Sequence, residues 1–180
     1  MNIAMQQNDD QEPRQRAEQI LANPKTRDDE AYAYITLGCL CERKEKWEEA
    51  IVNYARALGC VPEDQGLRYF GNNNLGYSLI QLGRFDEAEE YCEAAIEVDA
   101  ERHNAHKNLG LSYQGQGRWL DAAFSFARAF RLNPADPRSW RHLEALLTVR
   151  PQLEFESEEL RLEVEQLREA IEGDGAARFH

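Results

Sequence analysis

The chain has 180 residues, 42% of them hydrophobic and 30% charged, which is enough apolar material for one domain with its own core. Acidic residues outnumber basic ones 33 to 21, and a formal charge of -12 opposes attraction to a phosphate backbone, so nucleic acid is not an expected partner. No run reaches the roughly 18 to 20 apolar residues of a membrane span, and residues 1–13 lack the layout of a secretory signal, so the expected address is cytoplasmic, with no membrane partner. The cysteines, Cys39, Cys41, Cys60 and Cys92, have neither the density of a disulfide scaffold nor a C-x-x-C metal spacing, and are read as reduced, mostly packed thiols.

In chain order, residues 1–13 are polar and aperiodic and are expected to be disordered, followed by a short helix over residues 14–23 that the Asn23-Pro24 step ends. A pattern then begins that recurs at fixed internal offsets. Leu37-Gly38 is followed by Ala50, Tyr54, Ala57 and Pro62; Leu75-Gly76 by Ala88, Cys92 and Ala95; Leu109-Gly110 by Ala122, Phe126, Ala129 and Pro134. The period is 34 residues from Gly76 to Gly110 but 38 from Gly38 to Gly76, which places a four-residue insertion near residues 65–68.

Each recurring position has a packing reason. The glycines let the first helix of a pair approach the second closely, and Ala50, Ala88 and Ala122 do the same from the other side. Trp47, Phe85 and Trp119 follow the turn, where an aromatic ring covers the joint between helices. Gly83 and Gly117 end first helices, and Pro62 and Pro134 stop second helices. A partial fourth copy starts at Pro137, with Trp140 and Leu143 in pattern and Glu144 where glycine would stand. Beyond it, Ser157 is placed to cap a helix over residues 157–172 whose apolar stripe is Leu160, Val164, Leu167 and Ile171. A repeat stack needs such a cap to cover its last apolar face.

These residues resemble the tetratricopeptide repeat family, whose signature is a Trp, a Leu-Gly pair, a Tyr, an Ala, an aromatic and a Pro at a period of about 34 residues. The departures are Tyr34, Asn72 and His106 for the Trp, Cys41 and Leu79 for the Tyr, and Ala100 for the Pro. The resemblance implies an all-α, right-handed solenoid of antiparallel helix pairs. It would comprise an N-terminal segment over residues 1–30 and repeats near 31–64, 69–102 and 103–136. A partial copy over residues 137–150 and a capping helix over residues 157–172 would follow.

It also implies a concave groove lined by the first helices. The groove residues would be Tyr32, Ile35, Thr36 and Cys39, then Phe70, Asn73, Asn74, Tyr77 and Gln81, then Asn104, Lys107, Asn108 and Gln114, then Arg138, Arg141 and His142. Asn74 and Asn108 stand one repeat apart, and similar asparagines in the family hold the backbone of an extended peptide; a side-chain amide both donates and accepts. Heat-shock co-chaperones of the family clamp a C-terminal carboxylate. Asn108 and Arg138 match that arrangement, while Asn73, Tyr77 and His142 replace its Lys, Asn and Arg.

Charge is unevenly spread. Residues 103–150 hold seven basic groups against three acidic ones, whereas residues 86–101 carry eight acids, mostly on what should be a second helix that faces outward. No phosphate loop, nucleophile elbow or metalloprotease motif is present, so no enzymatic activity and no cofactor are expected. His103-x-x-His106 is too weak a pattern to read as a metal site, and both are taken as packed or surface histidines. The expected function is a protein interaction module, adaptor or chaperone-like, binding an extended and partly acidic segment of a protein partner, as a monomer or weak homo-oligomer. A self-assembling scaffold and a bacterial secretion-type chaperone are the alternatives.

Overall fold

The computed structural model describes residues 3–177, and every regular element among them is an α-helix. Two compact units divide the chain, Met1–Ala100 and Glu101–His180.

The first unit holds α1 (Ile3–Ala22), α2 (Arg27–Glu42), α3 (Trp47–Gly59), α4 (Gln65–Gln81) and α5 (Phe85–Val98). Each packs on the next, and α2 also meets α4. Helix α2 starts at a capping box, in which the Asp29 amide donates to Thr26 Oγ1 at 3.0 Å and the Thr26 amide to Asp29 Oδ2 at 3.1 Å. Asp64 caps α4 by accepting from the Leu67 amide at 2.9 Å. Helix α4 has 17 residues and α6 has 13, so the insertion is an added turn, residues 65–68, ahead of Tyr69.

The core of this unit gathers Ala50, Tyr54 and Ala57 of α3 with Ile35 and Cys41 of α2 and Leu75 and Leu79 of α4. A Cβ on Gly38 would fall 2.5 Å from Tyr54 Cε1, and one on Gly76 would fall 2.8 Å from Cys92 Sγ. The helix pairs therefore close on glycine.

The three turns within pairs share one geometry. The Lys46 amide donates to Cys41 O at 3.0 Å, Arg84 to Leu79 O at 3.0 Å and Arg118 to Tyr113 O at 2.9 Å, the six-to-one bond of a Schellman motif. That motif needs a left-handed residue just before the donor. Gly83 (φ 71°) and Gly117 (φ 78°) supply it, and in the first copy Glu45 does (φ 56°).

The N-terminal reading is corrected. Residues 1 and 2 lie outside the described ones, but α1 runs from Ile3 through Pro13 to Ala22 instead of starting after a disordered stretch. Ala17 is buried against the rest of the unit, and Asp10 receives Arg43 at 3.3 Å and Lys44 at 3.1 Å, pinning the front of α1 to the end of α2. Those two cations hold the Asp10 carboxyl below its usual range, Lys44 contributing most.

The second unit holds α6 (His103–Gly115), α7 (Trp119–Leu132), α8 (Arg138–Val149), a single turn α9 (Leu153–Glu156) and α10 (Glu158–Ala177). Its core joins Phe126 and Phe130 of α7 with Leu143 and Leu147 of α8, Leu153 of α9, and Leu160, Val164 and Leu167 of α10. Helix α10 packs on α7 and α9. Ser157 Oγ accepts from the Leu160 amide at 3.1 Å, Arg131 reaches Glu163 at 2.6 Å, and Arg168 reaches Glu154 at 2.9 Å. The apolar stripe of α10 is shorter than its sequence suggests, because Ile171 is exposed.

Candidate peptide-binding site

In the first unit the residues expected to face a partner divide into two kinds. Tyr32 on α2 and Phe70 on α4 are 45% and 44% exposed, large apolar side chains left in water. Tyr77 is half-buried, its ring edge-on to Trp47 at 5.9 Å. Ile35, in contrast, turns into the core. Asn73 is buried and donates to Asn74 Oδ1 at 2.9 Å, while Asn74 Nδ2 lies 3.7 Å from Cys39 Sγ. The Asn74 amide thus ties α4 to α2.

Cys39 is further surrounded. Tyr54 Oη lies 3.4 Å from its sulfur and donates to Glu42 Oε2 at 2.7 Å. Burial pushes the Cys39 thiol up, which makes it a poor nucleophile. Between α1 and α2 a cavity of about 290 Å³ is lined by Glu12, Pro13, Arg16, Ala17, Tyr32 and Thr36. Its α1 wall had no periodic signal in the sequence.

In the second unit, α6 and α8 carry Asn104, Lys107 and Asn108, and Arg138, Arg141 and His142, at matching helical offsets. Lys107 and Asn108 are buried, with Lys107 Nζ 3.5 Å from Asn104 Oδ1. Arg138 is held by Asp136, which accepts from Nε at 2.9 Å, from Nη2 at 2.6 Å and from the Arg138 amide at 3.1 Å. The same carboxylate sits 3.1 Å from His103 Nε2. These donors, Arg138 first, keep the Asp136 carboxyl far below the usual carboxylate range. His103 is therefore engaged with Asp136, and it joins the start of α6 to the start of α8.

In the sequence Asp136 counts only as one of the three acids of residues 103–150 and has no assigned role. Its signal was present, since an acid just ahead of Pro137 is a helix-start pattern. Arg141 is exposed and makes no side-chain hydrogen bond or ion pair with any described residue. His142 stacks on Phe126, ring centroids 5.2 Å apart and planes 19° apart. Burial first, then the charges of Lys107 and Arg138, push the imidazole below its ordinary range. The unit carries Lys107, Arg138 and Arg141 beside the rings of His142 and Phe126 and the amide side chains of Asn104 and Asn108.

Residues 71–135 match the family model of the tetratricopeptide repeat. The photosystem I assembly protein Ycf3 of Synechococcus sp. (strain CC9605) is 29% identical over 131 residues, covering 63% of this chain and 75% of that protein. Among solved structures, the MamA RS-1 ArsTM double mutant superposes with a TM-score of 0.69 at 15% identity, over 94% of this chain and 90% of that one. The first tetratricopeptide domain of Spaghetti (RPAP3), bound to the HSP90 peptide SRMEEVD, superposes with a TM-score of 0.62 at 18% identity, over 71% of this chain and 98% of that one. The fold is that of a tetratricopeptide repeat protein, an all-α solenoid type built of helix pairs.

Proposed function

We propose that the chain is a non-enzymatic protein interaction module that binds an extended, partly acidic segment of a partner protein, in an adaptor or chaperone-like role. The observation that carries this reading is Arg141, an exposed cation with no described intramolecular partner, next to His142 and one turn beyond Arg138 in a chain of net charge -12. A carboxylate brought to that face meets charge-assisted donors. In the first unit, the exposed rings of Tyr32 and Phe70 suit apolar side chains of the same class of partner. A protein of this fold bound to a peptide ending in Glu-Glu-Val-Asp is a precedent for the acidic class. The name of the cyanobacterial relative, an assembly protein, agrees with a chaperone-like role.

The test is fluorescence anisotropy with labelled SRMEEVD peptide. Arg141→Glu should weaken binding by at least about tenfold, the size of one charge-assisted contact turned repulsive. Equal affinity of the wild-type and Arg141→Glu proteins would overturn the reading.

A second reading, self-association, has one observation in its favour. Phe155 and Val149 are 88% and 75% exposed in the second unit, and apolar side chains so open to water favour contact with another copy. Sedimentation velocity across a hundredfold concentration range decides it: a species that stays monomeric removes this reading.

A further inference from the structure

His142 is a titratable group on the basic face of the second unit, and several charged groups among the described residues stand near it. From α7 it receives the uncharged ring of Phe126, stacked at 5.2 Å. The charged groups of α7 are committed elsewhere, Asp121 to Arg118 at 2.9 Å, Arg128 to Glu101 at 3.4 Å and Arg131 to Glu163 at 2.6 Å. From α6 the charge acting on it is Lys107, and from its own helix it is Arg138. The neighbouring acid of the α7–α8 loop, Asp136, spends its oxygens on Arg138 and His103. Glu144, two residues on, falls about 200° round the helix.

Among these groups the ones that act on the imidazole are cations, and burial works in the same direction. Both favour the neutral ring. A carboxylate placed on this face reverses the balance, because it partly neutralises Lys107 and Arg138 and gives an imidazolium its missing counter-charge.

We propose that His142 makes this face a proton-coupled anion site: a carboxylate-bearing segment binds together with a proton on the imidazole, and binding tightens as the pH falls from 8 to 5.5. The proposal rests on the acidic-segment reading above and adds its regulation. Proton uptake and ligand binding are then linked, each favouring the other. The ring stays stacked on Phe126 in both states, so the coupling needs charge and no rearrangement.

The experiment titrates SRMEEVD peptide into the full chain at pH 8, 7, 6 and 5.5, a range in which the peptide carboxylates stay ionised. Affinity should rise by about five- to tenfold from pH 8 to pH 5.5, the effect of a shift of up to one pKa unit between free and bound protein. Calorimetry at pH 6.5 in two buffers of different ionisation enthalpy should show net proton uptake. In His142→Phe, which keeps the stacked ring, the ratio of the affinities at pH 5.5 and pH 8 should fall to about one, and His106→Gln should keep the pH dependence. Affinity independent of pH, or a slope unchanged in His142→Phe, overturns the coupling alone. No binding at any of the four pH values overturns the acidic-segment reading and the coupling with it.

Discussion

The edge of the Phe126 ring occupies the space that a side chain on Gly110 would need: a Cβ there would lie 2.6 Å from Phe126 Cε1 and 2.7 Å from Cδ1. Gly110→Ala must push the ring off Leu143 and the rest of its core, at a cost of about 1–3 kcal/mol. Urea unfolding measures it. Gly59→Ala is the matched control, because nothing lies within 4 Å of its Cβ, and it should be neutral or stabilising by about 0.5 kcal/mol.

The left-handed turn residue gives a prediction of opposite sign at equivalent positions. Glu45 holds φ at 56° where the other two copies use glycine. Glu45→Gly should stabilise the protein by about 0.5–1 kcal/mol, the relief of strain less the entropy of glycine. Gly117→Ala should destabilise it by about 1 kcal/mol. Thermal melting of the two variants side by side would show whether they move in opposite directions.

Asp136 makes stability depend on acid in a defined direction. Its carboxyl is depressed in the folded chain by Arg138 first and His103 last, so its contribution is complete above the ordinary aspartate value near 3.8 and is lost as pH falls through the lower folded value. Asp136→Asn should cost on the order of 1–3 kcal/mol at pH 7, and the gap to wild type should begin to narrow only as the pH falls below about 4. A gap of the same size at pH 7 and at pH 2.5 would mean the carboxylate charge is irrelevant.

Leu160 is fully buried in the core that α10 shares with α7 and α8. Leu160→Ala should destabilise by about 2–5 kcal/mol. A variant within 0.5 kcal/mol of wild type in chemical denaturation would show that α10 is only loosely applied.

The thiols should be sluggish. Burial raises Cys39 and Cys41, and the Glu49 carboxylate adds to the effect on Cys41. Iodoacetamide labelling at pH 7.4 should run at least about tenfold slower at both than for free cysteine. Peptide mapping after timed quenching separates the two sites.

The helix pairs were legible because their signal is periodic and steric: Gly38, Gly76 and Gly110 recur with a bulky or soft partner sixteen residues on, and Tyr54, Cys92 and Phe126 are the atoms they meet. The added turn of α4 was also readable, from the difference between periods of 38 and 34 residues. What escaped was held by long-range contacts. Nothing local in residues 1–13 announces a helix; Asp10 reaches across thirty-three positions to Arg43. The expected surface was harder still, because helical offset gives a side chain's direction but not its employment. Ile35 and Asn74 stand at the anticipated positions, yet one packs into the core and the other is spent on Asn73 and Cys39. Arg138 carries its own carboxylate, which leaves Arg141 as the better-placed cation.

The extra turn of α4 also says what kinds of length change this chain can absorb. Residues 65–68 precede Tyr69 and add about 6 Å of helix without altering the register of anything after them. Within a helix, four residues advance a side chain by about 400°, so its direction returns to within about 40°, whereas two residues turn it by about 200°. Deleting residues 65–68 together should leave Leu75 in the core and Phe70 in water. Removing two residues between Asn73 and Ser78 would carry Leu79 to the outside. Insertions and deletions in such a chain are quantised by the helical turn, and sequences of this type can vary in length only in steps that preserve which side is wet.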